Sequence, residues 1–407
     1  MSLPERGIGR EALLALMKER KAKDANWRAA RTFSLVYPAG DDVDEILHDA
    51  ANLYLHENAL NPLRFPSLRE MEVEVVGDTA ELLHAPAGAG GCMTSGGTES
   101  IVMAVYAARE RAKAERGVAE PNLVAPRSAH PAFAKAAKYL GLEHRQVPLG
   151  ADLRADLAAA ERLVDDHTAL VVGSAPNYPF GTVDPIPELA ALAARRGISL
   201  HVDGCLGGFL LPFWERLGEP VPPFDFRVDG VATMSADVHK YGYCVKGASV
   251  LVHRDEEHLK QYQRFLYSDW PGGLYFSQAL AGTRAAAPIA AAWAVTRRLG
   301  VEGYLALARR VREATRKIQA GIASTGMRVI GAPVMSVFAF TSDAADPFAI
   351  ADRLEERGWC VDRQKGPDAL HVMLSPRHAD VADEFVADLG WAAASAGTRK
   401  SSEARYS

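Results

Sequence analysis

Lys240 lies in the run Met234-Ser235-Ala236-Asp237-Val238-His239-Lys240-Tyr241-Gly242-Tyr243-Cys244-Val245-Lys246-Gly247, which follows an apolar stretch from Val228 to Met234. An amine is a nucleophile only when neutral, and lysine is the side chain that burial shifts most readily toward that state and toward Schiff-base chemistry. A solvated lysine after a strand is the plainer reading of the same residues. Thr94-Ser95-Gly96-Gly97-Thr98-Glu99-Ser100 opens a second cluster, a helix whose apolar face is Ile101, Val102, Val105 and Ala108. Small residues at a helix start leave backbone N–H groups bare, and with the helix dipole they suit a phosphate. An ordinary Gly-Gly turn fits that run equally well. Asp203 ends an apolar strand, with His201 before it and Gly204, Gly207 and Gly208 after it. A half-buried carboxylate there needs a positive or protonated partner such as a pyridinium nitrogen, unless it only caps the next helix. His130, in Arg127-Ser128-Ala129-His130-Pro131, can lay its ring on a flat heterocycle or serve the structure alone.

The surrounding elements decide whether these groups meet. From about Glu70, helical stretches alternate with short apolar runs: Ala169 to Gly173, Ile198 to Val202 and Val228 to Met234. That alternation predicts a mainly parallel sheet covered by helices on both faces. Ligands of such sheets sit beyond the carboxyl ends of the strands. Ser174 to Tyr178, His201 to Gly204 and His239-Lys240 all fall at such ends. A phosphate site, a buried carboxylate, a flat ring and a lysine at one sheet edge describe a pocket for pyridoxal 5′-phosphate. That cofactor is an electron sink whose ring nitrogen works best beside an acid partner.

Downstream, Arg254 to Trp270 reads as helix-like, and the Ala-rich region Thr283 to Arg298 as a long connecting helix. Met327 to Ile330, Val334 to Thr341 and Leu370 to Leu374 are strand candidates of a smaller α+β unit. Leu13, Leu14, Leu16 and Met17 mark a helix in an N-terminal arm. The predicted organisation is an arm over 1–65, a large domain over 66–284, a connecting helix and small domain over 285–396, and a polar tail over 397–407.

The 407 residues are 48% hydrophobic and 24% charged, an ordinary soluble balance, and 46 basic against 51 acidic residues give a net charge of −5. So mild a balance points away from nucleic acid and from a polybasic membrane anchor. The N-terminal residues lack a secretory pattern. The longest uncharged apolar run, Ala285 to Val295, is well short of the ~20 residues of a membrane span. Four cysteines, Cys92, Cys205, Cys244 and Cys360, show no metal-ligand spacing, so no metal is expected, and a reduced, cytoplasmic setting is.

Three runs carry a specific resemblance: Thr94 to Ser100, His201-Val202-Asp203-Gly204-Cys205-Leu206-Gly207-Gly208-Phe209, and Ser235 to Tyr243. They resemble the sphingosine-1-phosphate lyase branch of the pyridoxal-phosphate-dependent decarboxylases, over about Tyr37 to Leu389 and including Ser268 to Tyr275. The His-Lys-Tyr-Gly-Tyr run followed by Lys246-Gly247 is closer to that branch than to the glutamate or aromatic amino-acid decarboxylases. The resemblance implies an α/β fold of type I, aspartate-aminotransferase-like, with a seven-stranded, mainly parallel sheet and a smaller C-terminal α+β domain. It also implies a homodimer with active sites at the interface.

Residue by residue, it implies that Lys240 is the Schiff-base lysine, Asp203 the partner of the pyridine nitrogen and His130 the stacked ring. Gly97 and Thr98 would hold the cofactor phosphate with His239 nearby, and Gly282 and Thr283 would reach that phosphate from a neighbouring subunit. Tyr37 and Tyr178 match tyrosines used for proton transfer and substrate contact, and Lys246 a lysine that binds the substrate phosphate. The implied reaction is a retro-aldol cleavage giving a fatty aldehyde and phosphoethanolamine.

Two departures fall on the substrate side. Asn61-Pro62-Leu63-Arg64-Phe65-Pro66 is shorter than the family's phosphate loop and has Arg64 in place of its histidine. An arginine fork at that point suits a phosphate or a carboxylate. Phe180 stands where histidine is common. The small-molecule substrate that the resemblance implies is a phosphorylated long-chain amino alcohol; the alternative is an amino acid, for a decarboxylase or for a β-hydroxy amino-acid aldolase. A non-catalytic cofactor-binding module is the third class; it has no need of Lys240, Asp203 and two tyrosines together.

Overall fold

A computed structural model describes residues 3–399 together with 403 and 404; the rest of the expected polar tail lies outside the described residues. Seven strands form the central sheet: β1 (Gly90–Thr94), β2 (Asn122–Pro126), β3 (Glu143–Val147), β4 (Thr168–Ser174), β5 (Ser199–Asp203), β6 (Val231–Ala236) and β7 (Ser249–His253). Their order is β1-β7-β6-β5-β4-β2-β3. Strands β3, β2, β4, β5 and β6 pair in parallel, and β7 runs antiparallel to both β6 and β1. β1 therefore points the same way as the parallel set.

Every residue of β2, β4 and β5 is buried, as expected of strands covered on both faces. On one face the Gly97–Arg116 helix sets Ile101 and Val105 against Leu123, Leu170 and Val172. The larger core lies on the other face, where Val171, Leu200, Val202 and Met234 meet the Ile186–Arg195 helix and Trp214. Register brings the strand ends level, with Ser174 beside Asp203 and Asp203 beside Ser235. Chemistry read from separate stretches of sequence thereby arrives at one edge.

The segment Arg254 to Trp270 is not the expected helix. Only Glu256–His258 is α-helical; Leu259–Gln263 is a π-turn, and the chain then enters a small hairpin of β8 (Phe265–Tyr267) and β9 (Tyr275–Ser277). The connecting helix begins at Ala287, beyond its expected start, and runs to Ser324 across a break at Gly300, where φ is 54°. Its carboxyl end leads to the second sheet, made of β10 (Arg328–Val329), β11 (Val337–Thr341), β12 (Asp362–Gln364) and β13 (Ala369–Met373) in the order β10-β11-β13-β12.

Strand β13 has two differently employed faces. Leu370 and Val372 enter a core with Phe338, Phe340, Trp359 and Phe385. His371 and Met373, on the alternate face, turn toward the central sheet and meet tyrosines there. The N-terminal arm is tied in at this junction. Phe33 is fully buried with its ring 4.7 Å from His378 and 4.6 Å from Phe385, and its carbonyl accepts from Met373 N–H at 2.7 Å. Tyr37, four residues on, is carried to the sheet edge.

Candidate active site

A cleft of about 330 Å³ opens at that edge, within the usual range for small-molecule sites of roughly 300–1,000 Å³. Lys240 enters it from the turn after β6, and its Nζ lies 2.9 Å from Oδ2 of Asp237. Desolvation works against the lysine's charge, but the Asp237 carboxylate more than offsets it and the amine's pKa lies above its ordinary value. Asp237 is buried, which alone would raise its carboxyl; the Lys240 and His239 side chains reverse that and hold it below the usual range. His239 donates from Nδ1 to the Ala248 carbonyl at 2.7 Å and places Nε2 3.6 Å from Asp237.

Asp203, at the end of β5, is buried, and its Oδ1 accepts from Cys205 N–H at 3.0 Å and from the Ser235 hydroxyl at 3.2 Å. These two donors lock the carboxylate's orientation. His130 accepts at Nδ1 from Ala132 N–H at 3.1 Å, and burial lowers its pKa against the opposing pull of Asp203. The shift favours the neutral ring, and His130 lines the cleft.

Gly97 and Thr98 form the first turn of the Gly97–Arg116 helix and also line the cleft. No side chain caps this helix at Gly96. The N–H groups of a first helical turn have no partner within the helix, and they carry the positive end of its dipole. A Cβ on Gly97 would come within 2.7 Å of Cys205 Sγ and 2.9 Å of an Asp237 oxygen. Only glycine lets the backbone lie so close to the lysine turn.

Tyr37 is buried in the opposite wall, with its hydroxyl 3.3 Å from Met373 Sδ and its ring 5.0 Å from the Tyr241 ring. Lys246 Nζ sits 5.0 Å above the Tyr37 ring and donates to the His239 carbonyl at 2.9 Å. Partial desolvation of the amine at the cleft, followed by the charge of Lys240, pushes Lys246 down to about 8. Tyr178 donates from its hydroxyl to Asp362 at 3.0 Å, stacks on His371 at 4.2 Å and accepts at its carbonyl from His371 Nε2 at 2.8 Å.

Comparison with known proteins gives this arrangement a family. The model of the pyridoxal-dependent decarboxylase conserved domain matches residues 24–341. A sphingosine-1-phosphate lyase of Oryza sativa subsp. japonica is 40% identical over 95% of this chain and 73% of its own. The solved structure of a Burkholderia pseudomallei sphingosine-1-phosphate lyase matches with a TM-score of 0.94 and 42% identity, over 97% of this chain and 93% of that one. The chain belongs to the sphingosine-1-phosphate lyase branch of the pyridoxal-dependent decarboxylases. A Lactobacillus brevis glutamate decarboxylase, 22% identical with a TM-score of 0.85 over 97% of this chain and 95% of that one, shares the fold.

The cleft fits the cofactor of that lyase branch. An amine, a locked carboxylate, an imidazole ring and an uncapped helix start converge on one space, and the Gly97 cradle is one that any side chain would fill. Pyridoxal 5′-phosphate would be held by Lys240 at its aldehyde carbon, Asp203 at its ring nitrogen, His130 on its face, and Gly97 and Thr98 at its phosphate.

Nine of the residues expected to be functional line this one cleft: Lys240, Asp203, Tyr178, Tyr37, Gly97, Thr98, His130, His239 and Lys246. Within a single chain, four do not. Asn61 and Arg64 are exposed on a loop whose Asn61 Oδ1 accepts from Leu63 N–H at 3.0 Å. Gly282 borders a different hollow, beside Pro62 and Phe65, and Thr283 a third, beside Ser95 and Glu99. Phe180, expected on the substrate side, is instead buried with Ile330, Ala339 and Ala369 against the second sheet. Its apolar ring is drawn into that core, and its N–H donates to Asn177 at 3.1 Å.

Asp237 is the principal residue that sequence reasoning missed. Its place three residues before Lys240, in a turn, was the available signal. His371 and Met373 were recognised only as parts of a strand; period-two alternation marks them as sharing a face, but nothing local says what that face meets.

Proposed function

We propose that this chain is a pyridoxal-phosphate-dependent carbon–carbon lyase that cleaves a phosphorylated long-chain amino alcohol such as sphingosine 1-phosphate into a fatty aldehyde and phosphoethanolamine. The observation that carries the reading is the meeting of Lys240, Asp203, two tyrosines and Lys246 in one cleft, in a chain 40% identical to a protein named for that activity. The bound cofactor supplies an electron sink for the pair left on Cα when the Cα–Cβ bond breaks. Asp203, with Oδ1 tied down by Cys205 and Ser235, keeps the ring nitrogen protonated. Asp237 Oδ2, 2.9 Å away, holds the Lys240 ammonium in place and favours its charged form until its proton is taken.

Tyr37 and Tyr178 stand on the substrate side, where a phenol can take the proton of the β-hydroxyl or return one to Cα. Lys246 offers its ammonium to the substrate phosphate. The test is mass spectrometry of the products of purified, cofactor-loaded protein given sphingosine 1-phosphate. A long-chain aldehyde together with phosphoethanolamine is expected. Carbon dioxide from an amino acid, with no aldehyde, would replace this reading with the decarboxylase one.

The working unit is a homodimer. Two observations support it. The Arg10–Lys21 helix has no buried residue and exposes Leu13, Leu14, Leu16 and Met17, and the β8–β9 hairpin exposes Phe265, Leu266 and Tyr267. Arg64 and Thr283, both matched to ligand-holding positions, lie away from their own chain's cleft and are free to serve another. Light scattering after size exclusion is expected to give twice the chain mass; a monomer with full activity would refute the shared site. Cys92 and Cys244 are free, buried thiols pushed up to about 12 by burial, a state that suits the cytoplasm.

A further inference from the structure

Glu99 is the third residue of the Gly97–Arg116 helix, and a glutamate at that position ordinarily folds back onto the N–H of the residue capping its own helix. Here it reaches one residue further. Its Oε2 accepts both the backbone N–H of Ser95 at 2.7 Å and the Ser95 hydroxyl at 2.5 Å. Its Oε1 accepts the backbone N–H of Leu280 at 2.9 Å. The carboxylate is buried, and every contact named here is to a segment other than its own helix.

The two segments differ in kind. Ser95 begins the glycine loop that enters the Lys240 cleft. Leu280 belongs to a strap anchored at one end by Gln263 Nε2 on the Gln278 carbonyl at 2.7 Å and at the other by the Arg284–Glu72 pair at 2.6 Å. Between those anchors, Glu99 joins strap to loop. Ser95, Glu99 and Thr283 line one hollow of about 150 Å³ behind the glycine loop. By holding Ser95 rather than Gly96, the carboxylate fixes where the loop starts and consumes none of the N–H groups of Gly96, Gly97 and Thr98.

We propose that Glu99 is the positioning residue of the phosphate-holding loop, a clamp that sets Gly96 to Thr98 against the Gln278–Arg284 strap and gives the site its selectivity for a phosphorylated cofactor. The inference rests on the assignment of Gly97 and Thr98 to the cofactor phosphate. Glu99 does not touch the cofactor; it acts through the backbone it holds.

The test compares equilibrium binding of pyridoxal 5′-phosphate and of phosphate-free pyridoxal, read by absorbance and by quenching of protein fluorescence, in the wild type and in Glu99→Gln. Replacing the acid puts an NH₂ against one of its donors. Pyridoxal 5′-phosphate is expected to bind roughly ten- to a hundred-fold more weakly, the range of a lost charge-assisted hydrogen bond, while pyridoxal changes by less than about two-fold. Glu99→Asp keeps the charge but is one methylene too short to span both segments, and is expected to shift the ratio the same way; it carries the test if the first variant fails to fold. Equal weakening of both ligands, or of neither, would overturn the clamp. A wild type that binds both ligands equally would instead overturn the assignment of the loop to phosphate, and the clamp with it.

Discussion

At the residue scale, Lys246 ties activity to pH. Desolvation of its amine at the cleft and the nearby charge of Lys240 bring it down to about 8, so it is charged below that value and loses its charge as pH rises through it. Its hold on a dianionic phosphate is lost in the same direction. KM for a phosphorylated substrate is therefore expected to rise above about pH 8, with less effect on kcat. Lys246→Arg, which stays charged throughout, is expected to flatten that limb. A KM profile identical in the two proteins would remove Lys246 from phosphate binding. Lys240 faces the opposite situation: the carboxylate of Asp237 outweighs its burial, so the same kind of side chain, six residues away, is held charged until something takes its proton.

At the scale of elements, much was legible because strands buried on both faces read as continuous apolar runs. β4, β5 and the helix after the glycine loop were visible in this way, and with them the edge where Ser174, Asp203 and Lys240 meet. The observed β6 is displaced toward the carboxyl end of the expected run, which puts Ser235 in the strand and Asp237 just past it. Arg254 to Trp270 was misread because its apolar spacing imitates a helix while Arg264 and the hairpin break it. Phe180 was misplaced because a partner core brought in by the second sheet, some 150 residues later, is invisible locally.

The turn that carries Phe180 supplies a prediction. Gly181 has φ +66°, and a Cβ there would lie 1.8 Å from the Val337 carbonyl oxygen, while its own carbonyl accepts from Val334 N–H at 2.9 Å. Gly181→Ala must either move the turn or unseat β11, at a cost of about 2–4 kcal/mol in denaturant unfolding. A loss under about 0.5 kcal/mol would show that the joint is slack.

For the whole molecule, buried histidines set the acid limit. His201, His371 and His378 are pushed down to about 4 by burial, and His253 to about 3. Unfolded, each takes up a proton near pH 6.5, so the unfolded state binds more protons and stability rises with pH across the interval. Stability from these four residues is complete above about pH 6.5 and is lost progressively as pH falls toward 4. The melting temperature is expected to drop over that window, and a flat profile there would mean that these rings are hydrated. His371 has a second importance. It and Met373 are neighbours on one face of β13, and each touches a different tyrosine of the cleft. The second sheet therefore reaches both phenols, Tyr37 through Met373 of β13 and Tyr178 through His371 of β13 and Asp362 of β12. A rigid shift of that sheet carries the two hydroxyls in step, so the spacing between them survives a motion that changes their distance from Lys240.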